Sequence, residues 1–273
     1  MTIWASGSPY EAYVGRWSRL VAREFLAWLA VPGGSRWLDV GCGTGALSEA
    51  ILQVADPAEL VGADPSDGFL AYAREHVRDA RATFEVADAR ALPFEDARFD
   101  AVVSGLALNF IPSPERGLAE MVRVARPGGA VASYVWDYVG EMQLMRCFWD
   151  AAAALDPRAQ GLVEGLRFPL CRPQPLEGLF RQASLEDVAV RAIDMPTIFR
   201  DFDDYWSPFL GAQGPAPSYV MSLDEPQRVA LRERLRAELP TAADGSIHLV
   251  ARAWAVRGTV PLPGGSNPLP RVG

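Results

Sequence analysis

The chain has 273 residues, of which 49% are hydrophobic, and its formal net charge is −8. This hydrophobic content can bury one large α/β core, so a chain that is disordered throughout is excluded. The 26 Lys and Arg residues are scattered rather than gathered into a stripe, and binding to DNA through its phosphate backbone is therefore not expected.

Targeting and redox features are few. Residues 1–9 lack the charged-then-apolar pattern of a signal peptide, and no apolar run is long enough to span a bilayer. We therefore expect a cytoplasmic protein that does not bind membranes. Cys42, Cys147 and Cys171 are odd in number, far apart and without a C-x-x-C spacing, which predicts reduced thiols and no metal site.

Helical and strand patterns alternate along the first half of the chain. Apolar residues at three- and four-residue spacing predict a helix over residues 10–31, which Pro32 ends. A strand over 36–40 then leads into the glycine-rich turn 41–45 and a helix over 46–53. Further strands are predicted near 59–63, 83–86, 99–104 and 130–135, and further helices near 68–77 and 115–123. This order predicts a parallel sheet with helices on both faces.

The glycine-rich turn is the strongest functional signal. Gly41, Gly43 and Gly45 lack the Cβ that blocks positive φ angles and keeps a ligand away from the backbone. With Ala46 the turn also satisfies the G-x-G-x-x-G/A fingerprint, and Asp64 follows at the distance of an acid that grips a ribose. An NAD(P)-dependent oxidoreductase is therefore one interpretation.

Asp39 separates this interpretation from its main alternative. It ends the first predicted strand, where a dinucleotide would bring its anionic diphosphate to the helix N-terminus. A carboxylate beside that anion is electrostatically unfavourable. A ligand without phosphate that carries an ammonium and a sulfonium group fits better.

Residues 38–45 read Leu-Asp-Val-Gly-Cys-Gly-Thr-Gly, and this octapeptide resembles the first motif of class I S-adenosylmethionine-dependent methyltransferases, in particular the small bacterial methyltransferase-11-like group. Residues 62–66, 88–94 and 126–129 resemble later motifs of that family in the same order. The resemblance covers about residues 35–136. It implies a transferase that uses S-adenosylmethionine, releases S-adenosylhomocysteine and methylates a small-molecule acceptor by in-line displacement. A binding protein that holds S-adenosylmethionine without transferring its methyl group is a third interpretation.

The residue patterns along the chain, together with the resemblance, predict a fold and a division of the chain. The expected fold is a Rossmann-like, doubly wound α/β fold with a seven-stranded, mostly parallel sheet and an inserted helical lid. Residues 1–34 would form an N-terminal helical cap and 35–136 the cofactor-binding core. Residues 137–257 would contain the lid and the last two strands, near 185–193 and 247–256, and 258–273 a flexible tail.

The resemblance also assigns roles to single residues. The backbone of Gly41 and Gly43 would face the methionine moiety, with Asp39 ordering the loop or the ammonium group. Asp64 would accept hydrogen bonds from the ribose hydroxyls, and Asp88 one from the adenine amino group. The expected cofactor contacts are Asp39, Gly41, Cys42, Gly43, Asp64, Pro65, Asp88, Ala89, Ser104, Gly105 and Arg16.

The acceptor pocket is the least defined part of the site. Many members of the family have a His near this position, whereas this chain has Asn109. Because an amide side chain does not titrate, no titrating base is expected there. The residues predicted to line the pocket are Asn109, Phe110, Trp136, Tyr138 and Trp206. For Trp206 and the aromatic residues around it, helical spacing also fits a core position. No catalytic residue, acceptor atom or oligomeric state is assigned.

Overall fold

A single sheet of seven strands organises the chain, which the computed structural model describes over residues 16–211 and 214–263. Its spatial order is β3-β2-β1-β4-β5-β7-β6. The first five strands pair in parallel, whereas β7 runs antiparallel to both β5 and β6. The strands are β1 (Arg36–Val40), β2 (Glu59–Asp64), β3 (Ala82–Val86), β4 (Phe99–Gly105), β5 (Ala125–Trp136), β6 (Glu186–Phe199) and β7 (Ile247–Thr259). The predicted α/β fold with a mostly parallel sheet is confirmed.

Helices cover both faces of the sheet. They are α1 (Arg16–Leu29), α2 (Ala46–Val54), α3 (Asp67–His76), α4 (Pro114–Val124), α5 (Gln143–Leu155), α6 (Glu164–Arg167), α7 (Pro173–Gln182), α8 (Phe202–Trp206), α9 (Pro215–Ser222) and α10 (Glu225–Glu238). None of these helices is long and apolar enough to cross a membrane, among the residues described.

Each face of the sheet has its own apolar core. Because successive side chains of a strand point to opposite faces, Trp37 lies in the core beneath α1, whereas its neighbour Leu38 lies in the core on the other face. In α1, Val21 and Phe25 are completely buried at a spacing of one helical turn, which anchors the helix to the first core. The carboxyl ends of the parallel strands therefore lie along one edge of a sheet that is packed against a core on each face.

The second half of the chain differs from the expected single lid. Helices lie in two separate insertions, one between β5 and β6 and one between β6 and β7. Strand β6 runs to Phe199, which pairs with Ile247, so Phe199 belongs to the sheet. Pro196 is accommodated because β6 is an edge strand, which does not need every backbone donor.

The end of the sheet also extends beyond its expected boundary. Gly258 and Thr259 were expected in the tail but pair with Val131 and Ala130 of β5. Val260 continues the contact through backbone hydrogen bonds with Gly128 and Gly129. Residues 264–273 lie outside the described part of the chain, as do residues 1–15 of the expected N-terminal cap.

Candidate functional site

A cavity of about 560 Å³ opens at the carboxyl edge of the parallel strands. Ligands of open α/β sheets collect at this edge. Ten of the expected cofactor contacts lie between residues 35 and 136. Nine of these ten residues line the cavity: Asp39, Gly41, Cys42, Gly43, Asp64, Pro65, Asp88, Ala89 and Gly105. The strand ends and turns thus bring most of the predicted site together.

The turn after β1 brings its backbone close to the end of β4. Gly41 has a φ of +73°, a value that side chains disfavour. A Cβ added to Gly41 would lie 2.5 Å from Cβ of Ala107. The amide of Gly41 donates a 2.7 Å hydrogen bond to the carbonyl oxygen of Ala63 at the end of β2. Only glycine allows the turn to be held between the two neighbouring strands in this way.

Asp39 places a buried carboxyl group directly beneath the turn. Its side chain is completely buried, and its Oδ2 accepts a 2.7 Å hydrogen bond from Oγ of Ser48 on α2. Its Oδ1 is buried and has no hydrogen-bond partner among residues 16–211 and 214–263, although Asp39 lines the cavity. Burial, with a smaller contribution from the nearby Asp64, raises the pKa of Asp39 to about 7 against the lowering effect of the Ser48 hydrogen bond. An unpaired buried acceptor of this kind is suited to a positively charged donor.

Asp64 lies at the end of β2 with its carboxylate held by two backbone amides. Gly43 donates to its Oδ2 at 3.0 Å and Ser66 to its Oδ1 at 2.8 Å. Burial raises the pKa of Asp64, while these two amide hydrogen bonds act in the opposite direction. Each carboxylate oxygen can accept a second hydrogen bond, so the group can still receive a pair of hydroxyl donors from the cavity.

Asp88 lies at the cavity rim and is paired with Arg90. The guanidinium group donates from Nε to Oδ1 at 2.9 Å and from Nη2 to Oδ2 at 2.6 Å. These hydrogen bonds lower the pKa of Asp88 to about 2, so the carboxylate is ionised throughout the neutral range. Arg90 also lines the cavity, and the sequence analysis had not identified it. The pair fixes the orientation of a carboxylate that would otherwise rotate freely in solvent.

The end of β4 forms another part of the wall. Gly105 and Leu106 line the cavity, whereas Ser104 is buried and does not. Leu106 has a φ of +58°, which is unusual for a residue with a side chain and is typical of functional sites. A Cβ on Gly105 would lie 2.6 Å from Oη of Tyr134, which also lines the cavity. Leu106 and Tyr134 gave no signal in the sequence, because both belong to ordinary apolar strand patterns.

The residues predicted for the acceptor pocket are dispersed. Phe110 lines the cavity and is 39% exposed. Asn109, Trp136, Tyr138 and Trp206 are not among the residues that line it. Trp136 and Trp206 are instead buried in the core beneath α1. The side chain of Arg16, the remaining expected cofactor contact, lies outside the described part of the structure.

Metal ligation has no support in the described ranges. No group of three or more His, Cys, Asp or Glu side chains there could hold a metal ion. Cys42, Cys147 and Cys171 form no disulfide with one another, and burial raises the pKa of Cys42 well above its usual value. A buried thiol with a raised pKa is a poor nucleophile.

Comparison with known proteins supports the resemblance over the core. A family described as a methyltransferase domain matches residues 38–133. A demethylmenaquinone methyltransferase from Clavibacter sepedonicus is 41% identical over 104 residues, which are 38% of this chain and 42% of that protein. The chain therefore matches less than half the length of this relative.

Solved structures share the fold over a longer range. The BH2331 protein of Bacillus halodurans C-125 has a TM-score of 0.58 and 16% identity, covering 88% of this chain and 98% of its own. A phosphoethanolamine N-methyltransferase 2 from Haemonchus contortus, solved with S-adenosylhomocysteine, has a TM-score of 0.55 and 19% identity, covering 87% of this chain and 52% of its own. At these identities the likeness shows the fold.

Proposed function

We propose, from the match of residues 38–133 to a methyltransferase domain family and from the shared fold, that the protein transfers the methyl group of S-adenosylmethionine to a small-molecule acceptor. The observation that carries the proposal is the buried Oδ1 of Asp39, which lies beneath the glycine turn of the cavity and has no hydrogen-bond partner in the described part of the chain. An ammonium group would supply the missing donor. A diphosphate at the same turn would meet two buried carboxyl groups, those of Asp39 and Asp64.

The residues of the cavity fit the parts of S-adenosylmethionine. We assign the methionine moiety to the backbone of the Gly41 turn and to Asp39, and the ribose to Asp64, whose carboxylate is already oriented by two amides. The adenine amino group is assigned to Asp88 at the rim. Carboxylates at these positions provide acceptors for each donor of the nucleoside and amino acid groups.

The chain itself would contribute mainly alignment and shelter from water. When bound, S-adenosylmethionine supplies a methyl group that its positively charged sulfur already activates. The protein then needs to hold the acceptor in line with that methyl group, for which the apolar side chains of Phe110, Ile111 and Pro112 provide a wall. Neither His76 nor His248 lines the cavity. The site therefore suits an acceptor that does not need a histidine to remove a proton before it is methylated.

Calorimetric titration tests the choice of cofactor. We expect saturable binding of S-adenosylmethionine and S-adenosylhomocysteine and no binding of NAD. The reverse result would overturn the proposal in favour of an oxidoreductase. Asp64→Ala should weaken S-adenosylhomocysteine binding at least tenfold, because two hydroxyl acceptors are lost. The matched control is Asp67→Ala, which removes a nearby exposed carboxylate that does not line the cavity.

Transfer of a labelled methyl group tests the activity itself. The protein is incubated with methyl-labelled S-adenosylmethionine and a fractionated small-molecule extract, with Asp64→Ala as the negative control. Label that appears in a small organic fraction supports the proposal. Tight cofactor binding without transfer to any fraction favours a binding protein instead.

A further inference from the structure

A row of exposed and half-buried apolar side chains leads away from the cavity. It consists of Phe110, Phe168, Tyr138, Val139 and Leu166, and we call it the apolar strip. Phe110 belongs to the cavity wall and packs edge-on against Phe168, with ring centroids 4.9 Å apart. The ring of Tyr138 lies 6.4 Å from that of Phe168. The strip is therefore continuous with the proposed cofactor and acceptor cavity.

The short helix α6 carries the strip further outward. A Cβ on Gly165 would lie 2.9 Å from Cγ2 of Val139 and 3.1 Å from the carbonyl oxygen of Tyr138, so α6 packs directly on the segment that follows β5. Despite this packing, Leu166 is 65% exposed and Val139 is 43% exposed. Single exposed apolar side chains are ordinary, but a contiguous row of them that ends at a cavity-lining residue, here Phe110, is typical of a binding surface.

The position of the strip indicates which ligand it would contact. Asp39, Asp64 and Asp88 occupy the part of the cavity assigned to S-adenosylmethionine, whereas Phe110, Ile111 and Pro112 form an apolar wall. An acceptor that approaches past Phe110 would leave its non-reacting end on Phe168, Val139 and Leu166. A polar molecule would gain nothing from these side chains, whereas a hydrocarbon chain would be removed from water along its length.

We propose, on the basis of the methyltransferase function proposed above, that the acceptor is an amphiphilic small molecule whose hydrocarbon tail lies on the apolar strip while its reactive head group enters the cavity. The strip then selects acceptors by tail length. Arg167, whose guanidinium lies 5.7 Å from the ring of Phe168, borders the strip with a positive charge.

Binding of an apolar fluorescent probe tests the strip without knowledge of the acceptor. N-Phenyl-1-naphthylamine is titrated into the full chain with S-adenosylhomocysteine present. Leu166→Gln should weaken probe binding at least threefold, since a polar group then meets the probe. The matched control is Val54→Gln, because Val54 is 54% exposed but lies at the far end of α2 from the cavity. Equal probe affinity in Leu166→Gln and the parent would overturn the proposal.

Displacement of the probe by 1-hexanol, 1-octanol and 1-decanol tests the selection by tail length. We expect the affinity to rise about two- to fourfold with each added methylene group in the parent protein, and less steeply in Leu166→Gln. A flat series, or an equal slope in both proteins, would contradict a site that follows the tail.

Two further readouts separate other occupants of the strip. If Leu166→Gln changes the molecular mass in solution, the strip is an interface between two copies of the chain. If Leu166→Gln has a melting temperature well below that of Val54→Gln, another segment of the chain covers the strip. Either result overturns the proposal. Calorimetry with S-adenosylhomocysteine and the labelled-methyl assay, run on the same samples, report separately on the proposed function, which fails if the cofactor does not bind or if no methyl group is transferred.

Discussion

Ser48 holds one oxygen of the Asp39 carboxyl group: its Oγ donates to Oδ2 at 2.7 Å, whereas the buried Oδ1 has no partner within the described ranges. The two residues come from the end of β1 and the first turns of α2, on either side of the glycine turn. The strand-turn-helix unit thereby fixes the carboxyl group of Asp39, a residue that lines the cavity. Burial of this half-satisfied carboxyl group raises its pKa to about 7.

The raised pKa predicts that cofactor binding depends on pH. Below pH 7 Asp39 is protonated and neutral, and an ammonium group gains little from it, so binding requires loss of that proton. Affinity for S-adenosylhomocysteine should therefore rise with pH up to about 7, by at most about tenfold per pH unit, and level off above it. Calorimetry between pH 5.5 and 7.5 measures this dependence.

Two variants identify Asp39 as the group responsible. Asp39→Asn should bind more weakly and lose the pH dependence, since no proton is exchanged. Ser48→Ala should shift the midpoint to higher pH, because the lost hydrogen bond stabilised the ionised form. An unchanged pH profile in Asp39→Asn would exclude this carboxyl group as the origin.

The sequence predicted this part of the site because its chemistry is local. Three acidic residues lie at or just after the ends of consecutive strands: Asp39 in β1, Asp64 in β2 and Asp88 after β3. Because these strands are parallel, their carboxyl ends and the glycine turn lie along one edge of the sheet. The hydrogen bond from Ser48 was not predicted, since a Ser within a helix is seldom informative. Nor was the Arg90 pair, which depends on a side-chain rotamer rather than on a motif.

The acceptor side was harder to predict because it depends on packing between distant segments. Trp136 is the last residue of β5 and lies in the core beneath α1, whereas Tyr138 lies in the turn that follows the strand, with its ring near that of Phe168. Strand alternation would place residues 136 and 138 on the same face, so the turn and its packing decide the direction of Tyr138. Leu166 was not identified at all, since its four-residue helix has too short a pattern to recognise.

Gly41 is predicted to be less replaceable than a glycine with the same backbone angle elsewhere. Gly41→Ala combines a φ of +73° with a Cβ at 2.5 Å from Ala107. Gly34→Ala is the matched control, because its φ is +75° and nothing lies within 4 Å of the added Cβ. We expect Gly34→Ala to cost about 1 kcal/mol in unfolding free energy and Gly41→Ala about 2–4 kcal/mol. Urea denaturation measures both, and equal costs would show that Ala107 yields without strain.

Asp88 is predicted to recognise the amino group of adenine. The parent protein should prefer S-adenosylhomocysteine over S-inosylhomocysteine, which lacks that amino group, by about five- to tenfold. In Asp88→Ala the preference should disappear, while Arg90→Gln should keep part of it because the carboxylate remains but is less firmly oriented. Competitive titration of the two ligands gives the ratio directly. A preference that persists in Asp88→Ala would assign adenine recognition to another group.

Trp206 is predicted to stabilise the fold rather than to contact a ligand. Its side chain is 5% exposed, and its ring lies 6.0 Å from that of Phe209 and 6.4 Å from that of Phe202. Trp206→Ala should therefore lower the unfolding free energy by about 3–5 kcal/mol, because it leaves a large cavity in the core beneath α1. S-Adenosylhomocysteine affinity, measured at a temperature where the variant is folded, should stay within twofold of the parent value.

Trp206→Phe and Phe110→Ala complete this comparison. Trp206→Phe fills most of the cavity and should recover more than half of the lost stability. Phe110→Ala should show the opposite behaviour, because Phe110 is partly exposed and lines the cavity: little loss of stability and weaker binding of the apolar probe. The opposite result would be a Trp206→Ala variant that binds the probe more weakly but is as stable as the parent. Trp206, with Phe202 and Phe209 beside it, would then belong to the acceptor pocket, and its interpretation as a core residue would be wrong.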